Sequence, residues 1–439
     1  MQKTVLNRIA LSFAAAGLSA MLAACGGGGS GSGNNETNDS TPPASGTATP
    51  LAAGKRFVGT VSFGDTVRVD LDSPAAGQLT LTFVDSQFGL AGALVGKYTK
   101  QATSQGTAYS ASALSADGAP AALTAAAANI RLDLTLAADA GQHGLLSGAL
   151  QNVPNVKAAD GSLLQGQILA TNNGVTSAAA LAGTYSFVKL SGNYSAGGVP
   201  QGDQDAEAGQ VKIDADGTLR FCSGQPWSAT CTNYDPSSGN ATTDTGTIMA
   251  DPNQALYPGA FDITLGGNLL GRAFVSAQQG ATSIFIDQAG NNTDGTFRTG
   301  TWTLTSANAL AAGALDGTWT CTEPGVADNS NRLTGAAQTT LARFSGTQLQ
   351  ALNADGSAST QMAPVSLFYN RTFDPRASQS QLTLAPANVA GLVAGQWTGS
   401  YQNQSVTGAF MFLPVSATQI SYLDEVNANG FFVMGTCTR

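Results

Sequence analysis

The chain has 439 residues, enough for two to four domains with cores of their own. Charged residues make up 11%, Gly contributes 53, and the formal net charge is −9. An acidic chain with no basic cluster repels phosphate backbones, which excludes nucleic acid as a partner. The Gly-rich, charge-poor composition fits a turn-rich extracytoplasmic β-protein better than a helical cytosolic enzyme.

At the start, Lys3 and Arg8 precede an apolar run from Ile9 to Ala20 that leads into Leu22-Ala-Ala-Cys25. A charged start, a short apolar core and a small-residue cleavage site are the parts of a secretory signal, here residues 1–24. The run is too short to span a bilayer as a stable helix. Losing Lys3 and Arg8 with the signal takes the net charge to −11.

Cysteine placed directly after Leu-Ala-Ala resembles the lipobox of bacterial lipoproteins. The resemblance implies cleavage before Cys25, acylation of that residue (palmitate among the chains), and attachment to a membrane through the lipid. Gly26, where an aspartate would favour inner-membrane retention, resembles the outer-membrane sorting class of Gram-negative lipoproteins. Residues 25–53 are rich in Gly, Ser, Asn and Pro and cannot bury a core, so they are expected to form a flexible tether. Its mean reach is on the order of 30 Å.

From Phe57 onward, apolar and polar residues alternate in short runs, as in Thr66–Leu71, Gln78–Phe83 and Ile130–Leu136. Period-two patterning with β-branched residues predicts half-buried strands. Ala-Asp-Gly recurs at Ala116–Gly118, Ala159–Gly161, Ala215–Gly217 and Ala354–Gly356, and Asp-Gly suits the left-handed dihedrals of hairpin turns. Ala119–Asn129 reads as a short helix or an Ala-rich loop. The fold class expected is all-β: tandem antiparallel β-domains, small barrels, over residues 54–178, 180–309 and 313–439.

The last two domains carry a repeat. Leu181-Ala-Gly-Thr-Tyr185 returns as Leu315-Asp-Gly-Thr-Trp319, Ala281-Thr-Ser-Ile284 as Ala417-Thr-Gln-Ile420, and Gly300-Thr-Trp302 as Gly435-Thr-Cys437, at offsets of 134, 136 and 135 residues. With Cys25 assigned to lipid, four cysteines remain, and an even number in an exported chain reads as two disulfides. Of three pairings, Cys222–Cys231 and Cys321–Cys437 keep each bond within one domain. On the repeat spacing, Phe187 and Trp302 are the middle-domain counterparts of Cys321 and Cys437. First and last strands would then be neighbours in a closed barrel.

Gly317-Thr-Trp319 at a strand start, the hairpin at Ala354–Gly356 and Gln396-Trp-Thr-Gly-Ser-Tyr401 resemble the calycin superfamily of lipocalins and avidins. That resemblance covers Leu315–Arg439 and, less fully, Leu181–Thr305. It implies eight-stranded up-and-down barrels with a cup at one end, and carries over no ligand. Transferrin-binding surface lipoproteins, which join Gly-rich tethers to small barrels, are a second likeness.

Residues able to carry chemistry are few. The single histidine, His143, lies in the turn-like Gly141-Gln-His-Gly144, and no Gly-x-Ser-x-Gly elbow occurs. Gly92–Thr99 superficially resembles a phosphate-binding loop, but the spacing fails and Tyr98 stands where a hydroxyl should hold magnesium. Asp203, Asp205 and Glu207 alternate along the chain as a solvated acidic loop, with Ca²⁺ binding the second reading. Asp287–Asp294 has similar chemistry and a stronger turn pattern. Trp227, inside the Cys222–Cys231 loop, is either a contact residue or a ring packed on the disulfide. The expectation is a cofactor-free, non-enzymatic binding or envelope-interaction module at the outer membrane. The first alternative is a small-ligand carrier using a barrel cavity, and an extracytoplasmic enzyme ranks below it.

Overall fold

A computed structural model describes residues 55–439 except 104–105, 138–143, 159, 173–174, 176, 236–239, 279–280, 325, 328–332, 335–336, 361–362, 374–383, 402–403 and 428–430. Cys25, the signal, the tether, His143 and Ala159 lie outside the described residues. Among the described residues no helix is long and apolar enough to cross a membrane.

Three eight-stranded antiparallel barrels follow one another along the chain. In the first, Arg56–Val61 pairs on one side with Asp65–Leu71 and on the other with Leu163–Thr171, which closes the ring. Its alternating apolar residues fill the interior, Phe57, Val67, Leu79, Leu132 and Ile168 among them. The helix-or-loop stretch is helical over Ala121–Ala126 and continues as a 3₁₀ turn over Ala127–Asn129. Ala116-Asp-Gly118 therefore leads from a short strand into this helix and is not a hairpin. The other Asp-Gly sites do sit between strands, with Gly161, Gly217 and Gly356 all at positive φ. There the Asp side chain accepts from the backbone N–H two residues on, in Asp160, Asp216, Asp294 and Asp355 alike. In the last three it also accepts the hydroxyl of that Thr or Ser. These bonds hold the exposed carboxyls of Asp216, Asp294 and Asp355 below the usual carboxylate range.

The middle barrel runs from Gly183–Tyr194 to Phe297–Ser306, and these two strands pair to close it. The last runs from Gly317–Glu323 to Phe431–Thr438 and closes in the same way. Both begin alike: Tyr185 donates its hydroxyl to the Leu181 carbonyl and Trp319 its indole N–H to the Leu315 carbonyl, each at 2.8 Å. Cys321 faces Cys437 across the closing strands and is bonded to it; Cys222 is bonded to Cys231.

Register corrects one part of the repeat. Phe187 stands opposite Leu304, so Leu304 is the counterpart of Cys437, and Trp302 is the counterpart of Gly435. The Gly-Thr match was displaced by two residues. Phe187 and Trp302 still touch, their rings stacked 5.7 Å apart, but as diagonal neighbours. Ile284 and Ile420 occupy equivalent places, opposite Leu304 and Cys437 respectively.

The barrels pack on one another through dissimilar seams. Between middle and last, Val188 and Ala208 pack against Met411, Leu413, Leu423 and Met434, and hydrogen bonds flank them, among them Gln204 with the Phe432 backbone and Ser283 to the Val415 carbonyl. Between first and middle, Val58 packs with Tyr257, Ala260 and Phe274, and the polar contacts include buried carboxyls: Thr60 bonds Thr301 at 3.0 Å, Thr299 donates to the Gly64 carbonyl at 2.6 Å, Thr66 donates to Asp287, and Arg272 pairs with Asp85. Leu145 and Leu169, Phe285, and Val415 bring all three barrels together in one small cluster.

Candidate functional site

Asp203, Asp205 and Glu207 lie on the strand Pro200–Ile213, so the expectation of a loop is corrected. The alternation has a geometric meaning. Glu207 stands opposite Lys189, on the face that Phe187 turns into the barrel. Lys189 is buried at the barrel mouth, 2.8 Å from Asp205, 3.0 Å from Glu207 and 4.7 Å above the Trp302 ring. Burial opposes its charge, but the two carboxylates outweigh this and raise its pKa above the ordinary lysine value. Burial pushes Glu207 up, against the pull of Lys189, and Ser223 donates to its carboxylate. Asp203 pairs with Arg298. All three carboxylates thus bond protein cations. Among the described residues no group of three or more His, Cys, Asp or Glu is set to hold a metal ion.

Asp287 lies within the strand Ala281–Asn291, not in a turn; the turn falls at Asn292–Gly295. It is buried in the seam with the first barrel and accepts a hydrogen bond from Thr66 at 2.5 Å. Burial raises its pKa to about 7, and burial likewise lifts Asp65 across the seam well above the carboxylate range, with Asp287 adding to it. Asp251 and Asp85 share Arg272, which stacks 3.6 Å over Tyr257, and burial raises Asp262 beside them to about 6. Asp65, Asp251 and Asp287 are buried in this seam, while Asp85 and Arg272 reach its partly exposed edge.

The barrel interiors are also filled. Phe187, Phe221 and Trp302 pack together in the middle barrel, and Trp319, Phe344, Phe412 and Tyr422 in the last. A small cavity of about 100 Å³ lies where the three barrels meet, bordered by Phe63, Asn155, Tyr194, Gln204 and Phe432.

The larger opening is a cleft of about 610 Å³ on the outer wall of the middle barrel. Its floor comes from outward-facing residues of adjacent strands: Lys212 opposite Arg220, and Thr218 opposite Thr247, which hydrogen-bonds Thr264 at 2.9 Å. The disulfide-closed loop carries Trp227 to the edge of this floor. Gln210 accepts the Trp227 backbone N–H at 2.9 Å, and the Lys212 ammonium sits 4.7 Å over the indole while pairing with Asp214 at 2.7 Å. Arg220 donates to the Cys231 carbonyl at 2.9 Å, tying loop to floor. The Trp227 indole N–H is shut from solvent without an acceptor in the protein. Of the two readings of Trp227, the ring is placed under a lysine and beside an open cleft, outside the barrel's apolar cluster.

Sequence reasoning singled out Trp227 and the acidic strand but not the partners that give them a setting. Lys212, Arg220 and the threonines carry no local motif; they are ordinary outward positions on strands. No family model, curated protein or solved structure matches the chain.

Proposed function

We propose that the protein is a lipoprotein anchored at the outer membrane through acylated Cys25, and that its three barrels form a non-enzymatic binding module. The single observation that carries the binding half is the cleft beside Trp227 on the outer wall of the middle barrel, while the barrel interiors are packed. Aromatic residues presented by a rigid, cross-linked loop are suited to contact, since little conformational freedom is lost on binding. The packed interiors weigh against a carrier that uses a lumen. The anchor reading rests on Leu22-Ala-Ala-Cys25 and on the Gly/Ser tether that follows.

Two experiments test these halves. Mass spectrometry of the mature protein should find an acylated terminus at Cys25, and Cys25→Ala should release the protein from membranes; an unprocessed Met1 start ends the anchor reading. A photo-crosslinking residue placed at Thr245, on the cleft, should form adducts on living cells that the same residue at Asp355, on an exposed turn, does not. Equal labelling at both positions would remove the cleft from consideration.

A further inference from the structure

The first barrel keeps an open strand edge. The strand Gly92–Thr103, whose start superficially resembles a phosphate-binding loop, changes neighbours along its length. Gly92–Lys97 pairs with Gln78–Phe83, and Tyr98–Thr103 pairs with Gly106–Ala111. Beyond Tyr98, no strand among the described residues continues on the side of Gln78–Phe83. The Tyr98 N–H donates to the Gly77 carbonyl on that side, at 3.1 Å. Hydrogen-bonding direction alternates along an antiparallel strand, so the N–H and C=O groups of Lys100 and Ala102 point onto the same open side. Thr99–Thr103 are all exposed. The foot of this edge is held in place. The Tyr98 ring packs edge-on to Tyr109 at 5.1 Å and its hydroxyl donates to Asp72 at 2.5 Å, while Lys55 and the Gly77 N–H hold Asp72 at 2.7 and 2.9 Å. A row of main-chain groups open to solvent on a fixed strand is a template for one more strand.

Charge selects which strand. Gly92–Ala111 contains Lys97 and Lys100 and no Asp or Glu, in a chain of net charge −9. The ion pairs that lysines make among the described residues belong to Lys55, Lys189 and Lys212, not to these two. Lys100 lies opposite Tyr109, with its ammonium 5.9 Å above that ring and exposed. A second copy of the chain is a poor occupant, because the antiparallel register that uses the whole edge sets Lys100 against Lys100. An acidic residue in that place faces the Lys100 ammonium, at the spacing of roughly 5.5 Å between directly opposed backbones. We infer that the open edge of Gly92–Thr103 takes an extended, acidic segment of a partner protein as an added strand, held by the main-chain groups of Lys100 and Ala102 and by the charge of Lys100. The surface belongs to the first barrel, and the inference does not depend on the Trp227 cleft.

The test uses the mature chain and three labelled peptides of one length, read by fluorescence anisotropy. One alternates Val and Glu, one alternates Val and Lys, and the third is the Val/Glu peptide N-methylated on its glutamates, which keeps the charge and removes the pairing N–H groups. The Val/Glu peptide should bind about tenfold or more tightly than either of the others. Its binding should protect the Lys100 and Ala102 amides from hydrogen exchange. Ala102→Pro removes an N–H from the open side and leaves the pairing with Gly106–Ala111 intact, so it should weaken binding by about tenfold with an unchanged circular-dichroism melt. Lys100→Glu, which alters no main-chain bond, should reverse the preference towards the Val/Lys peptide. Equal binding of the N-methylated peptide, binding that Ala102→Pro leaves unchanged, or silence of all three peptides overturns the inference. A dimer seen by light scattering of the protein alone, and lost in Ala102→Pro, would assign the edge to a second copy and overturn the acidic occupant.

Discussion

The middle and last barrels solve one packing problem in two ways. In the middle barrel Trp302 projects from the closing strand and Ile286 stands opposite it. In the last barrel Gly435 takes the Trp302 position and Tyr422 the Ile286 position. The exchange moves the large aromatic from the closing strand to its neighbour. A Cβ added at Gly435 would come within 2.4 Å of the Tyr422 ring, so the glycine is the space that the tyrosine fills. Polar partners change with it. Trp302 donates to Gln288 at 2.7 Å under the Lys189 ammonium, whereas the Tyr422 hydroxyl donates to Glu323, at the position equivalent to Lys189, at 3.0 Å. Satisfied polar tips are what both arrangements preserve, and the strand that supplies the aromatic is free to vary.

The closing strands differ as well. The last barrel holds them with a bond that closes a separation of 116 residues; the middle barrel has Phe187 opposite Leu304 at the same place. The largest effect is therefore expected from replacing both Cys321 and Cys437 with Ser. Loss of about 5 kcal/mol is the upper figure from chain entropy for such a loop. Hydrogen exchange should show the last barrel opening first in that variant, with the middle barrel unaffected. The complementary change is Phe187→Cys with Leu304→Cys, which should cross-link under oxidising conditions, whereas Phe187→Cys with Trp302→Cys should not. Cross-linking of the second pair would restore the displaced register.

Trp302→Gly should cost about 3–5 kcal/mol, the usual range for emptying a large buried aromatic site. Adding Ile286→Tyr copies the Gly435/Tyr422 arrangement and should recover part of that loss, with a coupling of about 1–3 kcal/mol between the sites. Urea melts of the single and double variants read it directly. Strict additivity would mean that the two barrels do not share the compensation.

Lys189 and Glu323 sharpen the comparison at the mouths. Lys189→Met leaves Glu207 and Asp205 without their cation and should destabilise the middle barrel by about 3 kcal/mol. Glu323→Gln, which keeps an acceptor for Tyr422, should cost less than about 1 kcal/mol. Comparable losses in the two variants would show that the cation at the middle mouth is no more than a filler.

At the seams the comparison is read through pH. Asp287 titrates near 7 in the folded protein, above the ordinary carboxylate value, because burial disfavours its charge, and Asp65 is raised with it. A raised acid stabilises fully at low pH, and this contribution is lost as pH climbs from about 4 through 7. Thr66, Asp85 and Arg272 face Asp287 across and along this seam. The first–middle seam should therefore weaken by roughly 1–3 kcal/mol between pH 5 and 8, and Asp287→Asn should flatten the dependence. The middle–last seam, where Val188 and Ala208 pack on Met411, Leu413, Leu423 and Met434, should hold. Limited proteolysis at the two pH values, with protection mapped barrel by barrel, distinguishes them.

Much of this architecture was legible in the chain because its signals are local. Alternation within Thr66–Leu71 or Ile130–Leu136 is a property of a few consecutive residues, and Asp216-Gly-Thr218 closes its own turn through the Asp side chain. Leu181 and Leu315, each four residues ahead of the aromatic that bonds its carbonyl, announce the repeated barrels in the same way. The four cysteines needed only an even count and a domain division. Tertiary structure alone decided the rest. The true counterpart of Cys437 is Leu304, because strand register is set by what lies opposite, and the Trp302-for-Tyr422 exchange leaves no trace along either strand by itself. The inward turn of Asp205 and Glu207 depends on Lys189, 16 and 18 residues away, and the state of Asp287 on Thr66 in another barrel, 221 residues away. Burial and pairing are properties of the assembled barrels, so Asp203 and Asp205 find their cations, and Glu207 and Asp287 their burial and raised pKa, only once the barrels close.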